Sequence, residues 1–162
     1  MSHFKKIEDP LNKLKKGYQR NNPNLLKHLE TKLINGEPFH YLFTGQVGCG
    51  KTYLSKNIMN FTLPRWQTVK VHTFYQEYLS IIGSSAYDKF DALKEHNRIM
   101  QSQSLLIDDL GDEKPSTEAA HDYFGGLIER RYDYLERKGS ESRTIITTNL
   151  SGNQISNTYG SR

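Results

Sequence analysis

A chain of 162 residues, 35% hydrophobic and 25% charged, suits one domain with a real core and leaves no room for two full ones. No apolar run approaches the ~20 residues of a membrane span, and the basic start Met1-Ser2-His3-Phe4-Lys5-Lys6 has no apolar stretch behind it, which argues against a secretory signal. Cys49 is the single cysteine, which excludes an internal disulfide and fits a reducing cytoplasm, and six scattered histidines lack the spacing of a zinc site.

The net charge of +4 is concentrated at the front, where residues 1–35 hold eight Lys/Arg against three acids. A basic leader over residues 1–21 therefore precedes a nearly neutral core over residues 22–162. The leader suits a polyanionic or acidic partner, or a solvated arm. Phe4, Ile7, Leu11 and Leu14 within it fit either a short amphipathic helix or a segment without fixed structure. At Asn22-Pro23 an N-cap residue precedes a proline at the first helical position. Leu25, Leu26, Leu29, Leu33 and Ile34 then share one helical face. Asn35-Gly36 stops that helix, and Phe39 to Thr44 reads as the first core strand.

Directly after it comes Gly45-Gln46-Val47-Gly48-Cys49-Gly50-Lys51-Thr52, a glycine, four residues, then Gly-Lys-Thr. Strand before and helix after is the context a phosphate-binding loop requires. Backbone N–H groups must converge on a phosphate chain from close range, and glycine lets the backbone bend without a Cβ in the way. The helix beginning near Gly50 adds its unpaired N–H groups and the positive end of its dipole. Lys51 is placed to reach the β- and γ-phosphates and the Thr52 hydroxyl to hold Mg²⁺, with Tyr53 next in the same turn.

Lys51 to Phe61 reads as a helix with Leu54 and Ile58 on its buried side, and Pro64 closes that unit. The alternation in Thr68 to Thr73 predicts a short strand. Two helices follow, Phe74 to Ile82 and Tyr87 to about Gln101, separated by Gly83-Ser84-Ser85. Leu105-Leu106-Ile107 is a fully buried strand. Ser116 or Thr117 caps a long helix to about Lys138, in which Gly125-Gly126 implies either a bend or a close neighbour. Gly139 ends it. Arg143 to Thr148 is another β-branched buried strand, and Gly152 onward can begin a helix. Strands joined by connections long enough for crossovers predict an α/β fold, a parallel sheet flanked by helices, with ligand at the carboxyl ends of the strands.

Two further motifs sit at those ends. Leu105-Leu106-Ile107-Asp108-Asp109 is an apolar strand ending in two carboxylates, the magnesium-organising element of phosphate-loop NTPases. Asp108 is the candidate for Mg²⁺ through its water shell and Asp109 for the general base acting on the attacking water. Asn149, ending the Thr144–Thr148 strand, offers a neutral amide to the γ-phosphate or to that water.

With these motifs in order, the chain resembles the DnaC/DnaI/IstB group of AAA+ ATPases, which load replicative helicases or assist transposases. The resemblance rests on Gly-Gln-Val-Gly-Cys-Gly-Lys-Thr-Tyr-Leu, Leu-Leu-Ile-Asp-Asp-Leu-Gly-Asp-Glu, Ile-Glu-Arg-Arg-Tyr and Thr-Ile-Ile-Thr-Thr-Asn-Leu, and covers about residues 20–162. It implies an ATP- and Mg²⁺-dependent core in which Gly45 to Thr52 is Walker A, Asp108 and Asp109 are Walker B, and Asn149 is sensor 1. Asp109 is shorter than the glutamate many AAA+ proteins carry there. Glu113 matches the family block as a supporting acid or a structural cap. The resemblance further implies a replicative helicase or a transposase as partner, with self-association and single-stranded DNA as further candidates. Tyr75, Lys89, Lys94 and Arg98 have the types that suit single strands, and the same residues equally suit a solvated helix surface. The family usually continues beyond a Tyr-Gly-x-Arg segment into a small lid bearing another arginine, whereas this sequence stops at Arg162. The expectation is a core without that lid, with Arg162, Arg130 or Arg131 as the arginine finger, or a binding switch that hydrolyses ATP slowly. A small phosphate-loop kinase is disfavoured, because no arginine-bearing lid is found between residues 74 and 103.

Overall fold

The structure, a computed structural model, describes residues 23–35, 37–62, 66–82, 86–113, 117–138 and 142–159. The expected basic leader over residues 1–21, the boundary residues Asn22, Gly36, Pro64, Ser116 and Gly139, the Gly83-Ser84-Ser85 break and Arg162 lie outside the described residues. So do the side chains of Leu25, Leu26, Ile34 and Lys89.

Helix α1 (Pro23–Ile34) leads into strand β1 (Phe39–Thr44), helix α2 (Lys51–Thr62) and strand β2 (Gln67–Lys70). Helices α3 (Val71–Ile82) and α4 (Ala86–Met100) follow, then β3 (Ser104–Leu110), α5 (Glu118–Lys138), β4 (Arg143–Thr148) and α6 (Gly152–Tyr159). The four strands form one sheet in the order β1-β4-β3-β2, every pairing parallel. Helices cover both faces, as parallel sheets require. Strand β3 makes the layering visible. Leu105 and Ile107 pack with Val71, Phe74, Phe124 and Leu127 from α3 and α5, while Leu106 points the other way to Leu29, Leu54, Ile58 and Met59 from α1 and α2. Each such side chain contributes about 1.5–3 kcal/mol of burial.

Two expectations change. The strand anticipated over Thr68–Thr73 ends at Lys70, and Val71 already belongs to α3. Val69 and Val71 alternate, but Val71, Phe74, Tyr75 and Tyr78 also fall at i, i+3, i+4 and i+7. The helical period wins because all four pack in one cluster. The double glycine does not break α5, which runs unbroken through Gly125 and Gly126. A Cβ on Gly125 would lie 3.6 Å from the Tyr159 carbonyl oxygen, an ordinary van der Waals contact. The cap is Thr117, whose hydroxyl accepts from the Ala120 N–H at 3.2 Å.

Arg131 is 3% exposed. Its guanidinium donates to the Met100 carbonyl at 2.8 Å and to the Thr144 hydroxyl at 3.2 Å, and also reaches the Ser102 and Arg143 carbonyls. This ties α5 to the amino ends of β3 and β4, at the end of the sheet remote from the phosphate loop. Arg131 is thereby removed as an arginine-finger candidate, because its donors are committed inside the chain. Arg130, one residue earlier, is exposed. Among the described residues no helix is long and apolar enough to cross a membrane.

Candidate functional site

At the carboxyl end of β1 the chain turns through three glycines in the left-handed half of backbone space, Gly45 at φ 151°, Gly48 at 80° and Gly50 at 91°. A side chain is strained at such angles. At Gly45 a Cβ would also stand 3.1 Å from Cys49 Sγ. Helix α2 then starts at Lys51, the Leu54 N–H bonding the Gly50 carbonyl at 2.9 Å. Helix geometry leaves the first-turn amides without intrahelical acceptors, facing the mouth of the loop. Lys51 folds back over it, donating to the Gly45 and Gln46 carbonyls at 2.8 and 2.9 Å and to Asn149 Oδ1 at 2.8 Å. An ammonium with three acceptors is satisfied, and an anion entering the loop offers it stronger ones.

At the end of β3 the pairing with β4 slips. Ile107 faces Ile146, but the next paired residues are Leu110 and Thr148, so β3 carries one residue more than its partner. The bulge holds the two aspartates, with Asp109 at φ 64°. Bulges beside functional sites re-aim side chains, and aspartate tolerates the left-handed conformation better than most residues. Asp108 is 1% exposed, and its Oδ1 accepts from the Thr52 and Thr147 hydroxyls, each at 2.8 Å. The Asp109 N–H, displaced from the ladder, donates to Thr147 Oγ1 at 2.9 Å. Thr147 was not singled out in the sequence. Its signal is the register that sets it beside the bulge.

Asp108 Oδ2 is buried with no partner among the described residues. An orphaned carboxylate oxygen beside a loop hydroxyl fits a hydrated divalent cation. Among the described residues there is no cluster of three or more His, Cys, Asp or Glu able to hold a metal. A cation here would thus take the Thr52 hydroxyl, the Asp108 carboxylate through water, and oxygens of a bound phosphate.

Above Asp108 lies a cleft of about 380 Å³ lined by Val47, Gly48, Gly50, Lys51, Thr52, Tyr53, Asp109 and Asn149. That volume is within the range of small-ligand sites. The three motifs converge here from positions 56 and 98 residues apart in sequence. Gly45 and Gln46 serve through their carbonyls instead, and Cys49 is exposed beside Lys51. Burial pushes the Asp109 carboxyl above the ordinary aspartate range, with the Asp108 and Asp112 charges adding and Lys51 and Lys70 opposing.

The candidate single-strand surface fares differently. Tyr75 is 3% exposed, packed against Tyr78, Tyr123 and Phe124, so it cannot stack on a base. Lys94 and Arg98 are exposed on α4, Arg98 in a two-point pair with Glu95. An aromatic ring exposed on that helix among the described residues is Phe90, which sequence reasoning passed over.

None of the protein-family models and none of the curated proteins compared with the chain matches it. Solved structures do. The crystal structure of DnaI aligns at a TM-score of 0.59 and 24% identity, over 82% of this chain and 68% of that one. The crystal structure of a DNA replication initiation factor aligns at a TM-score of 0.57 and 18% identity, over 87% of this chain. This chain spans 44% of that protein's length. At these identities the likeness is one of fold: the chain shares with the solved DnaI structure its α/β architecture, a parallel sheet flanked by helices.

Proposed function

We propose that this chain is a Mg²⁺-dependent ATP-binding and ATP-hydrolysing AAA+ core that acts as a helicase loader in DNA replication. The observation that carries the reading is the convergence at one cleft. Lys51 Nζ lies 2.8 Å from Asn149 Oδ1 and Thr52 Oγ1 2.8 Å from Asp108 Oδ1. The likeness to a DNA replication initiation factor supports the replication setting, and the sequence resemblance to helicase loaders supports a replicative helicase as the partner.

In the proposed reaction the loop amides and Lys51 bind the phosphate chain, Lys51 exchanging the Gly45 and Gln46 carbonyls for phosphate oxygens. Mg²⁺, held by Thr52 and through water by Asp108, supplies charge neutralisation when bound. Release from Lys51 frees the Asn149 amide to orient a water, and Asp109 accepts its proton. One feature favours a slower variant of this role, an ATP switch recruiting a helicase or, as an IstB-like helper, a transposase to DNA. Asp109 is one methylene shorter than the glutamate that many AAA+ proteins carry there, so its carboxyl reaches less far toward a water on the γ-phosphate, although its raised pKa makes it the better proton acceptor once ionised.

The test is Lys51→Ala with a fluorescent ATP analogue and steady-state hydrolysis. The variant is expected to fold, by circular dichroism, and to lose nucleotide binding. Undiminished binding overturns the assignment. In the wild type, measurable turnover supports the loader reading, and saturable Mg²⁺-dependent binding without turnover supports the switch.

A further inference from the structure

Glu113 is 1% exposed, four residues beyond Asp109, and the proposed reaction leaves it without a task. Its Oε1 accepts from the Tyr159 hydroxyl, and its Oε2 is buried with no partner among the described residues. A carboxyl so fully removed from water is costly unless its position serves something.

The two loops that carry Asp109 and Asn149 are joined outward in steps. Thr147 bridges Asp108 and the Asp109 N–H, and the Thr148 hydroxyl donates to the Leu110 carbonyl. Gly111, at φ 99°, lies so close to Leu150 that a Cβ there would stand 2.8 Å from its Cδ1. The outermost step is Tyr159 to Glu113. It joins the loop after β3 to the far end of α6, the helix that starts three residues after Asn149.

Helix α6 has no buried residue of its own. Its seat is Tyr159, which packs on the α3–α5 core cluster, meets the His121 ring edge-on at 5.7 Å, and rests its carbonyl against Gly125. Burial, with the Glu113 bond and charge adding, raises the Tyr159 phenol well above its ordinary range, so the hydroxyl stays protonated and remains the donor.

We propose that the Tyr159–Glu113 hydrogen bond is a clasp that positions the catalytic edge: Glu113 and Tyr159 hold the Asp109 turn against the Asn149 loop and couple α6 to the state of the cleft. Neither touches the nucleotide, so both are positioning residues. The catalytic part of the proposal rests on the ATPase reading above, while the clasp itself does not.

The experiment compares Tyr159→Phe, Glu113→Gln and the double variant Tyr159→Phe/Glu113→Leu with the wild type by amide hydrogen exchange without nucleotide. Tyr159→Phe, which deletes one oxygen, is expected to speed exchange over residues 109–113, some fifty residues away in sequence. Glu113→Gln keeps the acceptor and is expected to restore slow exchange. The double variant replaces the clasp by an apolar contact and shows whether a lone buried carboxyl is to blame: exchange as fast as in Tyr159→Phe supports the clasp. Unchanged exchange at 109–113 in Tyr159→Phe, or wild-type exchange in the double variant, overturns it. With Mg²⁺ and ATP, kcat is expected to fall about tenfold in Tyr159→Phe at unchanged KM and to recover in Glu113→Gln. A loss that follows only the folded fraction overturns the positioning role. Absence of ATP binding in every variant, wild type included, would instead refute the ATPase reading while leaving the exchange result to decide the clasp.

Discussion

A buried charge sits at each end of the β3–β4 pair, Arg131 from α5 at one and Asp108 of β3 at the other, and the two are treated in opposite ways. At the amino end Arg131 is saturated, its guanidinium shared among carbonyls of the α4–β3 turn and β4 and the Thr144 hydroxyl. Burial lowers its pKa to about 10, still far above neutrality. At the carboxyl end Asp108 is as deeply buried, yet among the described residues only one of its oxygens is bonded. A buried charge with every hydrogen-bonding position used is a rivet. One with a position left over is prepared for something that arrives later. Burial alone does not separate structure from function; saturation, read together with the place in the fold, does.

The comparison predicts that the two ends fail differently. Arg131→Ala leaves several buried carbonyls unpaired, at roughly 1–3 kcal/mol each where no water enters. A loss of about 3 kcal/mol is expected, a fall in Tm of roughly 10 °C for a chain of this size. The folded fraction should bind ATP as before. A calorimetric scan checks the first statement and nucleotide titration below Tm the second. Asp108→Asn is the mirror image. Its carbonyl still accepts from Thr52 and Thr147, so stability should move by less than about 1 kcal/mol. Without the carboxylate, Mg²⁺-dependent turnover should drop about 100-fold, the scale on which metal-site partners act. A collapse of Asp108→Asn with a well-folded Arg131→Ala would invert the comparison and discredit it.

The same contrast explains what the sequence made legible. The phosphate loop was readable because its constraints are local: three glycines at positive φ, a lysine and a hydroxyl follow one another in the chain. The parallel order was readable from the long connections. The bulge at Asp108–Asp109 was not, because it depends on how β3 registers with β4, a non-local fact. For the same reason Thr147 passed as a strand filler and Arg131 as a free arginine. Tyr75 misled because an aromatic among lysines has the composition of a nucleic-acid surface, while its position one turn after Val71 turns it inward. Glu113 stood out in the pattern, but its partner Tyr159 is 46 residues away and joined to it by no motif.

A third buried group sharpens the distinction with a smaller effect. His96 on α4 is 8% exposed, stacked on Phe74 at 3.9 Å, with Nδ1 paired to the Tyr123 hydroxyl at 3.1 Å and Nε2 without a partner among the described residues. It is half-saturated like Asp108, but neutral and remote from the cleft. Tyr78 and Tyr123 face it, and Glu77 and Glu95 lie near enough to favour its protonation, yet burial outweighs them and lowers its pKa below 6.5. The folded chain therefore holds fewer protons at this position than the unfolded chain between the lowered value and 6.5. Stability from this residue is present above about pH 6.5 and is lost as pH falls through the lowered folded value. Thermal scans between about pH 7 and pH 5 should show Tm declining in the wild type and declining less in His96→Leu, which cannot titrate. Equal slopes would mean that Glu77 and Glu95 offset burial, so that folded and unfolded chains titrate alike at this position, and that an unfilled hydrogen-bonding position in this core carries no pH-dependent cost.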